Sequence, residues 1–175
     1  LINHVLEGAK VRTLITDMNG KKVAEQTTNV RKGSDHADIS FKVNNPQLWT
    51  AETPNRYKVE FALIDNKGKT LHIGKDKFGF RTIETRYNDG LYINGKKVNI
   101  RGVNRHSFWP ESGRTLNKTL NIEDVKLIKS MNMNAVRLSH YHAVPEFYGI
   151  CDSLGLYVME ELGGWHGHHE TGNGQ

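Results

Sequence analysis

The sequence contains a single cysteine, Cys151, among its 175 residues, so no disulfide can form within the chain. This cysteine lies in an apolar helical pattern with Phe147, Ile150 and Leu154, which predicts a buried and unreactive thiol. No apolar run approaches the ~20 residues of a membrane-spanning helix. We therefore expect neither a disulfide-stapled miniprotein nor a chain with a membrane partner.

The chain also lacks a concentrated block of one charge. Its 24 Lys and Arg against 19 Asp and Glu give a net charge of +5 and a pI near 9.3, yet no run of five basic residues occurs. Scattered basic residues are typical of solvated surfaces, so we expect no nucleic-acid partner. No signal peptide is visible, but the chain opens at Leu1 in what reads as the middle of a protein, which leaves the compartment open.

Short alternating segments separated by turn residues fill the first half of the chain. Segments 11–16 and 21–27 flank Asn19-Gly20, the dipeptide most typical of a tight hairpin. Further alternating segments follow at residues 36–43, 57–64 and 70–80, with a second turn at residues 65–68. Period-two segments at this spacing, with no helical stretch, predict an antiparallel β-sandwich over residues 1–82.

The pattern changes near Ile83 to Tyr87, where we place the domain boundary. A hairpin turned at Asn94-Gly95 is predicted to join residues 91–93 to residues 98–100. Strands are then predicted at residues 98–103, 134–138 and 156–159, with helices between them that begin at a cap on Asn121 and at Pro145, the second ending at Gly155. Two successive βαβ units predict parallel strands in residues 83–175.

Titratable side chains follow each predicted parallel strand. His106 follows the first, Arg137 and His140 end the second, and Glu160 and Glu161 follow the third. Parallel α/β sheets bind ligands at the carboxyl ends of their strands, so the pattern indicates a site there. A structural alternative stays open, in which the histidines are ordinary loop residues and Arg137 pairs with Glu161 across neighbouring strands. Because successive strand residues point to opposite faces, the two glutamates are not expected to act as a pair.

The last segment combines glycine, histidine and one tryptophan. His166, His168 and His169 are too closely spaced for a helical metal-binding pair, and no cysteine or second histidine cluster supports them, so we expect no metal site. Trp165 is a candidate sugar-binding residue, because an indole face can cover the apolar side of a pyranose. Packing against a neighbouring element is the alternative for this tryptophan.

Several long motifs occur in order along the chain. They are Leu48-Trp49-Thr50-Ala51-Glu52-Thr53-Pro54, Gly79-Phe80-Arg81, Ile93-Asn94-Gly95-Lys96, Arg101-Gly102-Val103-Asn104-Arg105-His106, Asn134-Ala135-Val136-Arg137-Leu138-Ser139-His140-Tyr141 and Cys151-Asp152-Ser153-Leu154-Gly155-Leu156-Tyr157-Val158. Over nearly the whole chain they resemble glycoside hydrolase family 2, and its β-galactosidases in particular. The resemblance implies an immunoglobulin-like β-sandwich followed by the first part of a (β/α)8 TIM barrel catalytic domain.

The resemblance also implies a chemistry. Family members hydrolyse β-glycosides with retention, using a nucleophilic Glu and an acid/base Glu ~5–5.5 Å apart. Both come from later barrel strands, the acid/base within an Asn-Glu pair, and no Asn-Glu pair occurs in this sequence. We therefore expect no catalytic carboxylate in this chain and no activity from the chain alone.

The resemblance also implies roles for residues that support catalysis, because these residues lie in the matching motifs. The resemblance implies that His106 and His140 bind the substrate, that Arg137 keeps the nucleophile ionised, and that Glu161 is the acidic residue ending the third strand. β-Galactosidases of the best-known type continue with a Glu and a His that bind magnesium, but here those positions are Trp165 and Gly167. A magnesium cofactor of that type is therefore not expected.

Other readings remain beside a β-galactosidase. Ser107 follows His106 where β-glucuronidases usually carry acidic residues, which favours a galactosidase. A β-glucuronidase, a β-mannosidase or a noncatalytic carbohydrate-binding module are the alternatives. The substrate partner is expected to be a β-linked glycoside.

Three parallel strands leave an unpaired edge, so we expect the chain to self-associate. The unpaired edge also argues against a short protein with its own activity.

Overall fold

The computed structural model describes residues 8–31, 33–34 and 36–161. The chain divides into two compact units. The first takes in residues up to Gln47 together with Asn55–Phe80, and the second takes in Leu48–Pro54 together with residues from Arg81 onward. The division at residues 82 and 83 stays a prediction of the domain limits, and the structure adds that Leu48–Pro54 folds with the later residues.

The segment Leu48–Pro54 is held in the second unit by hydrogen bonds. The buried Trp49 indole donates to the carbonyl of Asp152 at 2.8 Å. The Lys129 ammonium donates to the carbonyl of Ala51, also at 2.8 Å. Contacts this distant in sequence cannot be predicted from a local alternating pattern. The sequence therefore predicted this segment to be part of the first domain, together with its neighbours in the chain.

The first unit contains a four-stranded antiparallel sheet in the order β2-β1-β3-β4. Its strands are β1 (Lys10–Asp17), β2 (Lys22–Asn29), β3 (Tyr57–Ile64) and β4 (Thr70–Phe78). Both predicted hairpin turns are confirmed. In the first, the Asp17 carboxylate accepts from the backbone N–H of Asn19 and of Lys21, each at 2.9 Å, and Gly20 has a φ of 88°. Aspartate therefore closes the turn and glycine supplies the left-handed conformation.

One face of this sheet carries an aromatic core. Ile15, Tyr57 and Val59 are buried, and Phe41 and Phe80 pack against them. The prediction of a strand at residues 36–43 was wrong, because these residues form no strand. The alternation there reflects apolar side chains such as Phe41 packing onto the sheet, which does not require backbone pairing.

A small antiparallel sheet opens the main part of the second unit. Its strands are β5 (Ile83–Arg86), β6 (Gly90–Ile93) and β7 (Lys96–Lys97), in that order. Asn94 and Gly95 turn the chain between β6 and β7 with φ values of 52° and 74°, which confirms the predicted turn. The second arm is Lys96–Lys97, so the predicted arm at residues 98–100 was placed too late.

The two predicted βαβ units are present in the second unit. Three parallel strands pair in the order β10-β9-β8. The elements are β8 (Gly102–Arg105), α1 (Lys118–Ser130), β9 (Ala135–Leu138), α2 (Pro145–Leu154) and β10 (Tyr157–Met159). The first of these strands begins at Gly102, so the prediction that it starts at residue 98 was wrong.

The helix ends show which local signals decide a boundary. Pro145 is in the first turn of α2 and Gly155 ends it with a φ of 80°, both as predicted. The predicted cap on Asn121 was wrong, since Asn117 caps α1 and its side chain accepts from the Leu120 N–H at 3.0 Å. Asn121 lies one turn inside the helix and is buried, where its amide oxygen serves a different partner.

The two faces of the parallel sheet differ in chemistry. Val103, Val136 and Val158 are register partners, and they pack with the helix residues Val125 and Phe147. The pleat turns these three valines toward the covering helices. The opposite face therefore carries the alternate residues of the strands, which include Asn104 and Arg137.

The lone cysteine lies in the helix-side core. Cys151 is 1% exposed, and burial raises the pKa of its thiol to about 12. A thiol that stays protonated at neutral pH is a poor nucleophile and a poor metal ligand. The prediction of a buried cysteine is confirmed.

Candidate functional site

The site lies at the carboxyl ends of the three parallel strands of the second unit. His106 directly follows β8, and His140 lies two residues beyond the end of β9. Their imidazole rings are 5.6 Å apart between centroids and meet edge to face at 73°. The structure therefore brings together two histidines that are 34 residues apart in sequence.

Glu161 connects the end of β10 to both the strand and the loop of β9. One carboxylate oxygen, Oε1, contacts the Arg137 guanidinium, and the other, Oε2, lies 3.0 Å from Nδ1 of His140. The hydrogen bond with His140, followed by the interactions with Arg137, lowers the pKa of Glu161. An ionised carboxylate thus lies between a fixed cation and an imidazole.

Asn104 orients the other side of Arg137. The two residues are register partners on β8 and β9, and Arg137 donates to the Asn104 side-chain oxygen at 3.2 Å. Asn104 was not among the predicted site residues. The available signal was its position two residues before His106, which in a strand places both side chains on one face.

A buried polar cluster anchors the end of β8 from the helix side. Arg105 donates to Asp124 at 2.9 Å and to Asn121 at 2.7 Å, and its guanidinium lies 4.1 Å from the Phe147 ring centre. The side chain of Arg105 is only 6% exposed. Because successive residues alternate, fixing Arg105 toward the helices turns His106 toward the opposite side.

The loops that carry the two histidines are tied to each other. The backbone N–H of Ser107 donates to the Tyr141 hydroxyl at 2.9 Å, so the residue after His106 contacts the residue after His140. Arg114 covers the Tyr141 ring at 4.0 Å. This hydrogen bond holds the two loops together and so limits the distance between the two imidazoles.

Glu160 belongs to a separate cluster. Its carboxylate lies 2.6 Å from Nδ1 of His142 and accepts from the Tyr148 hydroxyl. The hydrogen bond with Tyr148 has the larger effect and that with His142 the smaller, and both lower the pKa of Glu160. The pKa of Tyr148 is raised to about 12, by burial and then by the bond to Glu160. Glu160 and Glu161 therefore serve different partners, as the strand alternation predicted.

Two profiles of known families match this chain. "Glycosyl hydrolases family 2" matches residues 3–81, and "Glycosyl hydrolases family 2, TIM barrel domain" matches residues 85–172. The chain belongs to glycosyl hydrolase family 2. The resemblance noted in the sequence is thereby confirmed, and so is the fold class, an immunoglobulin-like domain followed by the start of a TIM barrel.

Curated family 2 relatives include two bacterial β-galactosidases. The one from Halalkalibacterium halodurans is 40% identical over 83% of the chain, and the one from Pseudoalteromonas haloplanktis is 43% identical over 84%. In both cases the match spans only 14% of the relative's own length. This family 2 chain therefore corresponds to a small part of those proteins.

Solved structures in the same family are also similar. A Bifidobacterium dentium β-glucuronidase complexed with coumarin-3-O-glucuronide superposes with a TM-score of 0.84 at 28% identity. The match covers 89% of this chain and 25% of that one. The family 2 fold is thus shared with an enzyme of a different sugar specificity from that of the β-galactosidases.

Part of the predicted site lies outside the described residues of this family 2 chain. Trp165 and the histidines at 166, 168 and 169 are in that part. Within residues 8–31, 33–34 and 36–161, no group of three or more His, Cys, Asp or Glu side chains is arranged to hold a metal ion. No helix among those same residues is long and apolar enough to cross a membrane.

Proposed function

We propose that this chain is part of a retaining exo-β-glycosidase and that β-galactosides are its preferred substrate class. The observation that carries the proposal is the cluster of His106, His140, Arg137 and Glu161 at the carboxyl ends of three parallel strands. This is the end at which TIM barrels build their active sites. Family membership supports glycoside hydrolysis, and the relatives named β-galactosidases support galactose.

The proposed role of the two imidazoles is to bind the sugar. His106 and His140 lie edge to face at 5.6 Å between ring centroids, so ring nitrogens from two loops are within reach of one pyranose. Imidazole nitrogens hydrogen-bond hydroxyl groups and the charge that develops on them in a transition state. Trp165 is the proposed platform for the apolar face of the sugar.

Arg137 has a proposed electrostatic role. A guanidinium stays charged at all working pH values and lowers the pKa of a nearby carboxylate. Its contacts with Glu161 and Asn104 fix its orientation at the strand end. In the proposal this fixed cation faces the nucleophilic carboxylate, which the family resemblance assigns to a later barrel strand.

The reacting carboxylates are not assigned to this chain. Retention requires two carboxyl groups ~5–5.5 Å apart on either side of the glycosidic bond. Glu160 and Glu161 do not meet this need, because each is engaged by a different cluster. We infer that the chain on its own binds but does not hydrolyse glycosides.

The magnesium site of the best-known β-galactosidases does not fit this sequence. The corresponding positions are Trp165 and Gly167, and neither side chain offers an oxygen ligand. The proposed function therefore includes no magnesium site of this type.

β-Glucuronidase is the second candidate, favoured by the structural similarity to the Bifidobacterium dentium enzyme. A glucuronide carries a carboxylate where galactose carries a neutral hydroxymethyl group, so the two enzymes need different charges at that position. The neutral Ser107 beside His106 favours the galactosidase.

Paired substrates test the proposal. In the full-length enzyme that contains this chain, kcat/KM for nitrophenyl β-galactoside should exceed that for the matching β-glucuronide by about tenfold or more. The reverse preference would transfer the assignment to a glucuronidase. Hydrolysis by the isolated chain that is lost on His106→Ala would overturn the inference that both catalytic carboxylates lie elsewhere.

A further inference from the structure

The carboxylate of Glu161 uses its two oxygens for two different purposes. Oε1 receives the guanidinium of Arg137, which Asn104 holds from the other side. Oε2 is left for Nδ1 of His140, at 3.0 Å. The cation therefore fixes the carboxylate, and the carboxylate in turn fixes the imidazole.

The position of the hydrogen between Glu161 and His140 follows from the charge of the glutamate. The hydrogen bond to His140 and the adjacent Arg137 both favour the ionised carboxylate. An ionised carboxylate only accepts hydrogen bonds, so Nδ1 of His140 must carry the hydrogen. In a neutral imidazole with hydrogen on Nδ1, the other nitrogen, Nε2, is an acceptor.

We propose that Glu161 is a positioning residue that holds His140 in its Nδ1–H tautomer, so that any hydrogen bond made by Nε2, one from a ligand hydroxyl included, is a bond that it accepts. The identity of that ligand as a glycoside rests on the function proposed above, whereas the tautomer does not. The consequence for recognition is a defined polarity, since the sugar hydroxyl donates and His140 accepts. Removing Glu161 would take away the acceptor that favours hydrogen on Nδ1 while leaving the position of His140 in the chain unchanged.

The chain contains a matched pair that serves as a control. Glu160 faces Nδ1 of His142 at 2.6 Å, with Tyr148 as its second partner. The side chains of this pair are more exposed, 57% for His142 and 42% for Glu160, and the pair lies outside the cluster of His106 and Arg137. The same argument assigns an Nδ1–H tautomer to His142, through a different glutamate.

Long-range 15N–1H NMR of the full chain tests the proposal, because protonated and unprotonated ring nitrogens have well-separated 15N shifts. Each ring is assigned with His140→Gln and His142→Gln, and the shifts are taken from the neutral plateau of a pH series. We expect His140 with hydrogen on Nδ1 in the wild-type chain and increased Nε2–H population in Glu161→Ala. Glu160→Ala should leave His140 unchanged and shift only His142.

Two results would overturn the proposal. One is a wild-type His140 with hydrogen on Nε2, a measurement that needs no variant and so does not depend on how Glu161→Ala folds. The other is an unchanged His140 tautomer in both Glu161→Ala and the isosteric Glu161→Gln. Neither result depends on glycoside hydrolysis, so this failure is distinguishable from a failure of the proposed function, which the galactoside and glucuronide kinetics test separately.

Discussion

Glu160 and Glu161 are adjacent in the chain, yet their carboxylates bind different partners. Glu160 contacts His142 and Tyr148, whereas Glu161 contacts Arg137 and His140. The alternation of side chains at the end of a strand separates the two. One carboxylate therefore serves the loop and helix that follow β9, and the other serves the site.

Acid should weaken the fold through these two carboxylates. Both have pKa values below the ordinary 4.5, so each stabilises the folded state above that pH and loses its contribution as pH falls through the lowered value. The free energy of unfolding, measured in urea, should drop between about pH 5 and pH 3. The drop should be smaller in Glu160→Gln/Glu161→Gln. Glu146→Gln, at an exposed ion pair of 3.7 Å, is the control, and an equal drop in all three proteins would contradict the account.

Gly102 should not tolerate a side chain. A Cβ at this position would lie 2.5 Å from the carbonyl oxygen of Ala135 on the neighbouring strand. Gly102→Ala should therefore cost about 1–3 kcal/mol of unfolding free energy. Gly149→Ala is the control, because a Cβ in that part of α2 meets nothing within 4 Å and should stabilise the helix by about 0.5–1 kcal/mol. Thermal unfolding of both variants checks the prediction, and similar effects would contradict it.

The buried cluster of Arg105 should contribute more to stability than a surface ion pair does. Arg105→Met leaves Asp124 and Asn121 without their guanidinium, and the expected loss is about 3–5 kcal/mol. Arg12→Met removes an exposed partner of Glu60 at 3.8 Å and should cost less than about 1 kcal/mol. Urea denaturation distinguishes the two. A loss below about 1 kcal/mol in Arg105→Met would show that the cluster does not anchor β8.

Local signals predicted the parts of this fold that local interactions decide. Asp17 with Gly20 specifies a turn, and Pro145 and Gly155 bracket a helix, because each acts through its own backbone. The cap on α1 was assigned to Asn121 instead of Asn117, since Asn121 directly precedes the apolar residue Ile122. In the structure, Asn117 accepts from the Leu120 N–H, whereas Asn121 accepts from Arg105 on a distant strand.

Local signals also predicted which residues lie at the candidate site, but not all of their contacts. Period-two alternation shows that neighbouring residues face opposite ways, but it does not say which face meets the helices. That Val136 packs with the helices is therefore known only from the structure. The strand ends identified His106, His140 and Arg137 as neighbours, whereas the contact of Arg137 with Asn104 depends on strand register, which needs the three-dimensional structure.

Self-association is expected at the edge of the parallel sheet. Among the described residues, β10 pairs only with β9, and Met159 is 58% exposed. Unpaired strand edges recruit partners, so sedimentation at micromolar concentration should show a dimer or larger species. Met159→Lys should shift the distribution toward monomer, whereas Tyr87→Lys, at a turn residue that is 94% exposed, should not. A monomeric wild-type chain would refute this expectation.

The central claim is that the cluster at the strand ends binds the transition state of a β-glycoside. The direct measurement is kcat/KM for an aryl β-galactoside in the full-length enzyme carrying His140→Ala. We expect a fall of ~10²–10³, the scale of a lost transition-state hydrogen bond. His72→Ala, at an exposed histidine on β4, should leave the value unchanged. If His140→Ala also leaves kcat/KM unchanged, His140 is a structural residue and the assignment of the site is wrong.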